Sequence, residues 1–424
     1  MCTKIGGLVI YTNVVMVETA TSDLNGWNYE FFNLCLPIHP GHDRLGIYIS
    51  RRWFWKARPG RNTRIIVTLT VVIMMWLPIT SIILRRSDSS GFGVAALAWI
   101  GYLGAGYLSF LFTILLMRDA GLVVLTLARR LRPQAEDDLP AAAGLDESRR
   151  RFLAYGMNGG VSTVAMLFTG YGLAEAREVP DVKVVEIPFR NLPSQLEGFR
   201  IVQITDIHVS PTVKRPYVAG IVSRVNELDA DIVALTGDLV DGSVRRLSGD
   251  VEPLAAASSR YGNFFVTGNH EYYSGASAWI RKVQSLGFTV LNNSHRIIAH
   301  NSRKILLGGV TDYNAGRFFD SHRSDPQSTL RGAPPVDLKI LLAHQPKNIF
   351  AAAKAGFDLQ ISGHTHGGQF FPWNFMVHFF QPYVAGLHRH ENTQIYISRG
   401  TGYWGPPLRL GSPSEITLLR LVSG

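Results

Sequence analysis

The chain has 424 residues, more than one ordinary soluble domain of roughly 100–200 residues, and it is 46% hydrophobic but only 17% charged, which points to lipid contact for part of it. Its two cysteines, Cys2 and Cys35, exclude a disulfide framework and a thiolate metal site in everything beyond them, so any metal site there is built from His, Asp, Asn and Glu. The net charge of +10 admits nucleic acid, an anionic membrane surface or an acidic substrate until its location is read.

Residues 1–64 form an N-terminal segment of which 1–50 are poorly patterned. Ile5–Val17 is apolar but too short to cross a bilayer. It reads as a packed strand, an interfacial piece or the product of a start site placed too far upstream. Three uncharged apolar runs follow, Ile65–Leu84, Phe92–Met117 and Phe152–Leu173. A membrane-spanning helix needs about 20 such residues, so each is a transmembrane candidate, with a buried helix of a soluble core as the alternative. Arg51, Arg52, Lys56, Arg58, Arg61 and Arg64 precede the first run, and Arg118, Arg129, Arg130, Arg132 and Arg149–Arg151 separate the second from the third. Positive-inside logic then places residues 1–64 and 118–151 in the cytoplasm and everything after about residue 174 outside. Between the spans, residues 119–132 read as an interfacial helix and 133–147 as a flexible acidic linker. Ser148–Leu153, SRRRFL, is similar to a twin-arginine export motif, or is a basic stop before a membrane helix.

Residues 174–197 read as a connector. From there to residue 424 short apolar runs alternate with amphipathic stretches. Strand patterns lie at Phe199–Ile204, Ile232–Leu235, Phe264–Val266, Ile305–Leu307, Leu338–Leu342, Leu359–Ile361, Gln394–Ile397 and Glu415–Leu421. Helical patterns lie at Tyr217–Leu228, Ala276–Leu286 and Lys347–Ala355. This alternation predicts an α/β layered domain of about 240 residues.

Five segments in this region share one layout, an apolar strand running into a polar loop: IVQITDIH (201–208), IVALTGDLVD (232–241), FFVTGNHE (264–271), KILLAHQP (339–346) and DLQISGHTHGG (358–368). Ligands of α/β sheets gather at the carboxyl ends of strands, so these loops would converge on one crevice. They carry Asp206, His208, Asp238, Asn269, His270, His344, His364 and His366. Oxygen and imidazole donors without thiolate suit Mn²⁺, Fe²⁺, Zn²⁺ or Mg²⁺, and eight such residues are too many for one ion. Any one segment alone is weak, since an Asp-x-His or a Gly-Asn-His is commonly structural; the ordered set of five is not.

D-x-H, G-D-x-x-D, G-N-H-E, a lone His and G-H-x-H, in that order over about residues 198–421, resemble the calcineurin-like metallophosphoesterases, and GHTHGGQ resembles their membrane-associated bacterial branch. The resemblance implies a four-layer αββα sandwich, here preceded by an α-helical transmembrane region. It implies two divalent cations, one held by Asp206, His208 and His366, the other by Asn269, His344 and His364, with Asp238 bridging both. It implies that His270 faces the substrate and assists the leaving oxygen, oriented by Asp241, for which a surface or N-cap role is the alternative. The ions would activate water for in-line attack on phosphorus.

Three further features are weighed. Arg399 and Arg409 read as a phosphate clamp or as part of an ordered surface loop. Trp373, Phe375, Phe379, Phe380 and Trp404 read as core, with contact to a lipid headgroup region as the alternative. Residues 315–335 read as a polar loop, a candidate flap. The whole is expected to be a phosphoester hydrolase of the bacterial inner membrane, multi-pass with its catalytic domain outward. Its expected substrate is a diester or pyrophosphate that is lipid-linked or part of the envelope, with membrane lipids as the other partner and no specific nucleic acid or protein partner. Alternatives are a nuclease, a phosphomonoesterase and a non-catalytic membrane sensor that keeps the metal site.

Overall fold

In the computed structural model of the chain, residues 3–5, 8–11, 14–17, 40–54, 60–86, 91–131 and 146–424 are described. They form two compact units, one within Met1–Tyr171 and one from Gly172 to Gly424 together with residues 88–95. The acidic stretch 133–147 and both cysteines fall wholly or mostly outside the described residues.

In the first unit, β1 (Thr3–Ile5), β2 (Leu8–Tyr11) and β3 (Val14–Val17) pair antiparallel, so the apolar N-terminal run is strand. Helices occupy Pro40–Phe54, Arg61–Arg86, Phe92–Leu131 and Glu147–Arg177. The expected stop at Met117 is absent. The second span continues without a break through the segment expected as an interfacial helix, because residues 118–131 supply good helix formers and no proline to interrupt the hydrogen-bond ladder. Among the described residues two helices are long and apolar enough to cross a membrane, at Arg61–Thr80 and Phe92–Leu131. The third expected span lies in the helix Glu147–Arg177, which begins with three arginines and carries Asn158, Gly159, Gly160, Ser162 and Thr163 along its middle.

The two apolar helices approach through small residues. A Cβ on Gly101 would lie 2.8 Å from the Pro78 nitrogen, and one on Gly104 would lie 3.1 Å from Met74 Cε. Close backbone approach of this kind is how helices associate where water supplies no hydrophobic drive. Asp119 accepts hydrogen bonds from Tyr48 Oη at 2.8 Å and Arg118 Nη2 at 2.9 Å, and pairs with Arg52 Nε at 2.8 Å. Two of the basic flanks assigned to one side of the membrane thus meet at a single carboxylate.

The second unit contains β4 (Asp181–Phe189), β5 (Arg200–Ile204), β6 (Ile232–Leu235), β7 (Asn263–Phe265), β8 (Phe288–Val290) and β9 (Ser294–His300). It continues with β10 (Arg303–Gly309), β11 (Leu338–Leu342), β12 (Leu359–Ser362), β13 (Gly386–His390), β14 (Thr393–Ile397) and β15 (Glu415–Ser423). These make two six-stranded mixed sheets, in the orders β4-β15-β5-β6-β7-β8 and β13-β14-β12-β11-β10-β9. Residues 181–189, read as connector, instead pair parallel with β15 along their whole length. Pro188 disguises the strand; it is tolerated because β4 lies at a sheet edge.

Side-chain alternation sorts the layers. Ile201, Ile232, Ala234, Phe264, Leu419 and Leu421 of the first sheet share one cluster with Ile305, Leu307, Ile340, Leu342, Leu359 and Ile361 of the second. Their neighbours in sequence, Val202, Ile204, Val233, Leu235, Phe265 and Ile416, point the other way onto the helix residues Val218, Ile221, Val225, Trp279 and Val283. Leu306 and Leu341 likewise face Ala352. The result is helix, sheet, sheet, helix, with nearly continuous apolar strands because both faces of each sheet are covered. The last turn of the helix Glu147–Arg177 belongs to this unit: Ala176 is part of the first helix-side cluster, and the Gly172 carbonyl accepts from the Arg409 amide at 2.9 Å.

Leu419 sits wholly buried between the sheets, whereas Leu418 faces the other way and is only partly covered. Leu419→Ala should therefore cost about 3 kcal/mol, the usual range for deleting a core leucine, with Leu418→Ala costing clearly less. Urea unfolding of the detergent-solubilised chain, followed by tryptophan fluorescence, measures both.

Candidate metal centre

β5, β6, β11 and β12 run parallel or converge with their carboxyl ends on one edge of the sandwich. The next residues of each strand are the motif residues, and the chain must turn sharply to aim them inward. Asp206, His208, Asp238, His364 and His366 all have left-handed backbones, with φ of 54°, 53°, 51°, 74° and 51°. Non-glycine residues pay for that conformation, and such strain concentrates at functional sites. The adjacent glycines are there for space: a Cβ on Gly268 would lie 2.2 Å from Asp238 Oδ1, and one on Gly363 would lie 2.2 Å from Asp206 Oδ2.

The structure brings the sequence-predicted Asp and His residues together. Asp206, His208 and His366 form one group with donor atoms mutually within 4.8 Å; Asp238, His344 and His364 form a second. His208 Nε2 is 3.1 Å from His366 Nε2, and His344 Nε2 is 3.1 Å from Asp238 Oδ2. Asp238 Oδ2 is also 3.8 Å from His208 Nε2, so this carboxylate stands between the two groups. Asn269 adjoins them at the start of a short helix, Asn269–Ser274. Its Oδ1 is buried with no hydrogen-bond partner. An unpaired buried carbonyl costs about 1–3 kcal/mol, and a cation would satisfy it.

The supporting contacts fix each donor. His344 Nδ1 donates to the Thr236 carbonyl at 2.8 Å, leaving Nε2 with its lone pair toward the site. Asp206 accepts from Thr205 Oγ1 at 2.8 Å and from the His364 amide at 2.9 Å; Asp238 Oδ1 accepts from the His270 amide at 2.9 Å. Asp241 Oδ1 receives both His270 Nδ1 at 2.5 Å and His208 Nδ1 at 3.2 Å. The helix-cap alternative for Asp241 is therefore not what the structure contains. Trp404 packs edge-on to the other side of the His270 ring, with centroids 5.7 Å apart.

Charge is distributed unevenly over this buried cluster. Burial works to raise the Asp238 carboxyl, but the imidazoles of His344, His270 and His208 outweigh it and hold it well below the usual range. Burial works to lower His270, but Asp238 and Asp241 outweigh it and push it up to about 9. His344 rises to about 10 for the same reason, chiefly through Asp238. Burial, joined by His344, drops His364 to about 3, and burial with the Arg409 charge pushes His366 well down. Neutral imidazoles are the form that ligates metal, so a cation at this site would have to displace the proton that Asp238 favours on His344 Nε2.

Three further residues position the site in ways the sequence does not disclose. Glu271, wholly buried, accepts from the amides of Gly268, Asp238 and Leu239 at 2.7, 3.0 and 2.8 Å and so ties two ligand loops together. Asp312 accepts from Gln345 Nε2 at 2.8 Å beside His344. Arg409 was expected on a surface loop or on phosphate, yet it is fully buried. Its guanidinium donates to the carbonyls of His366 at 3.1 Å, Arg399 at 2.9 Å and Ser412 at 3.2 Å, and reaches His366 Nδ1 at 3.1 Å. It cannot clamp a substrate from there; it holds the metal loop. Phe375, Phe379 and Phe380, expected as core, are exposed on two short helical turns, Trp373–Met376 and Val377–Phe379, that bury no residue. Residues 315–335 fold into three 3₁₀ turns, one of which brings His322 Nδ1 to 2.9 Å from Tyr272 Oη.

Residues 199–368 match the sequence model of the calcineurin-like phosphoesterase family. A zebrafish (Danio rerio) protein named "Transmembrane protein with metallophosphoesterase domain" is 41% identical over 255 residues, 58% of each chain. Its bovine (Bos taurus) namesake is 39% identical over 66% of this chain and 65% of its own. A Helicobacter pylori protein named as an uncharacterized metallophosphoesterase is 37% identical over 65% of this chain and 73% of its own. The chain thus spans less than two thirds of the length of the two vertebrate proteins.

Gly268→Ala should weaken divalent-cation uptake at least ~10-fold, as loss of the shell that orients ligands does. Gly249→Ala, where a Cβ meets nothing within 4 Å, should leave it unchanged. Calorimetric titration of the metal-stripped chain with Mn²⁺ reads both.

Proposed function

Because the chain belongs to the calcineurin-like phosphoesterases, we propose that it is a metal-dependent phosphoester hydrolase whose substrate is a diester or pyrophosphate presented at a membrane. The observation that carries the catalytic part is the convergence of Asp206, His208, His344, His364 and His366 on Asp238, with the Asn269 carbonyl oxygen left without a hydrogen-bond partner.

In this reading Asp206, His208 and His366 would hold one cation and Asn269, His344 and His364 the second, with Asp238 shared between them. Two divalent ions of the Mn²⁺, Fe²⁺ or Zn²⁺ type, with Mg²⁺ admitted by the same oxygens, activate water and neutralise charge on the phosphoryl oxygens when bound. His270 is not a ligand. Kept protonated through neutral pH by Asp238 and Asp241, it hydrogen-bonds the leaving oxygen and gives it the proton. Asp241 holds the Nδ1 side of that ring, so Nε2 is the atom that faces substrate. Trp404 covers the ring and keeps water from competing for it.

A membrane-borne substrate is favoured by the two apolar helices within the same chain and by the transmembrane relatives. A bacterial inner-membrane location with the catalytic unit outward is supported by the charges flanking the apolar runs, and it requires Phe152–Leu173 to cross together with the two longer apolar helices. Confinement beside a bilayer raises the local concentration of a lipid-linked ester and favours it over a soluble one.

The purified full chain, stripped of metal and resupplied with Mn²⁺, should cleave an aryl phosphodiester in preference to an aryl monoester. His270→Ala should lower turnover by about 10²–10⁴-fold while metal content stays unchanged, and Asp238→Asn should lower both. Activity independent of added metal, or loss of metal with His270→Ala, would contradict these roles. The pH profile gives a second test. Without bound metal His270 loses its proton as pH rises through about 9; cations on Asp238 would weaken that carboxylate's pull, so the alkaline limb of kcat/KM for the loaded enzyme lies below that value. Asp241→Asn removes a charge that raises that pKa and should move the limb to lower pH; an unmoved limb would assign it to another group.

A further inference from the structure

The eight residues 373–380 leave the catalytic unit as an apolar projection. Phe379 is 79% exposed, Phe375 62%, Phe380 56% and Met376 41%. Soluble surfaces seldom gather such side chains in one place, and a contiguous group of them marks a contact site. The projection is also firmly mounted. It follows the last metal motif directly, and a Cβ on Gly368 would lie 2.2 Å from Asn374 Cα, so the turn is pressed onto the metal loop. At its far end, Thr365, which lies between His364 and His366, donates its hydroxyl to the Val384 carbonyl at 2.5 Å. Phe371 packs edge-on against Phe375, with centroids 5.9 Å apart. Both ends of the segment are thus fixed to the ligands His364 and His366.

Charge indicates what it meets. From Leu359 to His390 the chain has no Asp or Glu, while His378, His388, Arg389 and His390 fall within or after the projection. Aromatic and long apolar side chains with no carboxylate among them, followed by imidazoles and the cationic Arg389, match the headgroup boundary of an anionic bilayer. The chain carries its own apolar helices long enough to cross such a bilayer.

We propose that residues 373–380 form a bilayer-docking surface, in which Phe375, Met376, Phe379 and Phe380 enter the boundary between headgroups and acyl chains and hold the metal loop at headgroup depth. This goes beyond the catalytic reading, since docking would hold whichever ester is cleaved and is measured without turnover.

The test uses the full chain with Cys2→Ser and Cys35→Ser, reconstituted in nanodiscs of phosphatidylcholine and phosphatidylglycerol. Phe375→Cys and Phe379→Cys are labelled in turn with a nitrobenzoxadiazole probe. Asp320→Cys, whose side chain is 96% exposed on a polar turn, serves as the aqueous reference. The expected result is several-fold stronger quenching of the 375 and 379 probes by spin-labelled lipid than of the 320 probe, with matching protection from iodide. Iodide quenching equal to that at 320 would overturn the proposal. Protection from iodide without quenching by spin-labelled lipid would overturn it as well, since another protein surface would then be covering the site.

Discussion

Two carboxylates with no access to solvent, Asp206 and Asp238, set the terms for the whole catalytic unit. Taking an anion out of water costs several kcal/mol unless neighbours compensate it. Here the compensation comes from imidazoles on other strand ends and from backbone amides of adjacent loops, so each ligand loop depends on the others for its position. Glu271 is a third buried acid in the same region, and burial with the nearby Asp238 charge raises it to about 8. Its three amide bonds make it a structural tie between the loops after β6 and β7 rather than a reacting group.

The sandwich serves this arrangement. A dry layer between two sheets fixes the strand ends, and Gln203 crosses that layer, donating from Nε2 to Thr236 Oγ1 at 2.8 Å and to the Ser362 carbonyl at 2.9 Å. The first sheet supplies Asp206, His208, Asp238 and Asn269 while the second supplies His344, His364 and His366. The two sheets must therefore keep register with each other for the donors to meet. Left-handed residues at five of those donors show where the folding energy is spent: the apolar layers over-determine backbones that would relax elsewhere. The buried Arg409 adds a mechanical link, because its guanidinium holds His366 while its amide is bonded to Gly172 in the last turns of the helix Glu147–Arg177.

The catalytic constellation was legible because its chemistry demands particular residue types at strand ends, and those sit in short contiguous motifs. The strands bearing them were legible for the same reason, being apolar on both faces. What escaped was whatever depends on partners distant in sequence. β4 was hidden by Pro188 and by its need of β15, more than 200 residues later, as its neighbour. β9 and β13 place His and Arg on half-exposed strands, where alternation is diluted. Arg409 looked like a ligand for phosphate because an arginine in a glycine-rich loop carries no mark of burial. The aromatics after the last motif looked like core because hydrophobicity alone does not say which way a short turn bends. The helix past Met117 was cut short because its charges signal the end of an apolar span, which is not the end of a helix.

The central claim is that Asp238 joins two cation sites into one. Electron paramagnetic resonance of the full chain titrated with Mn²⁺ tests it most directly. A pair of ions about 3.5–4 Å apart sharing a carboxylate gives an exchange-coupled spectrum that saturates at two equivalents, and the account expects that spectrum. Saturation at one equivalent, or at two with the six-line pattern of isolated ions, would contradict it.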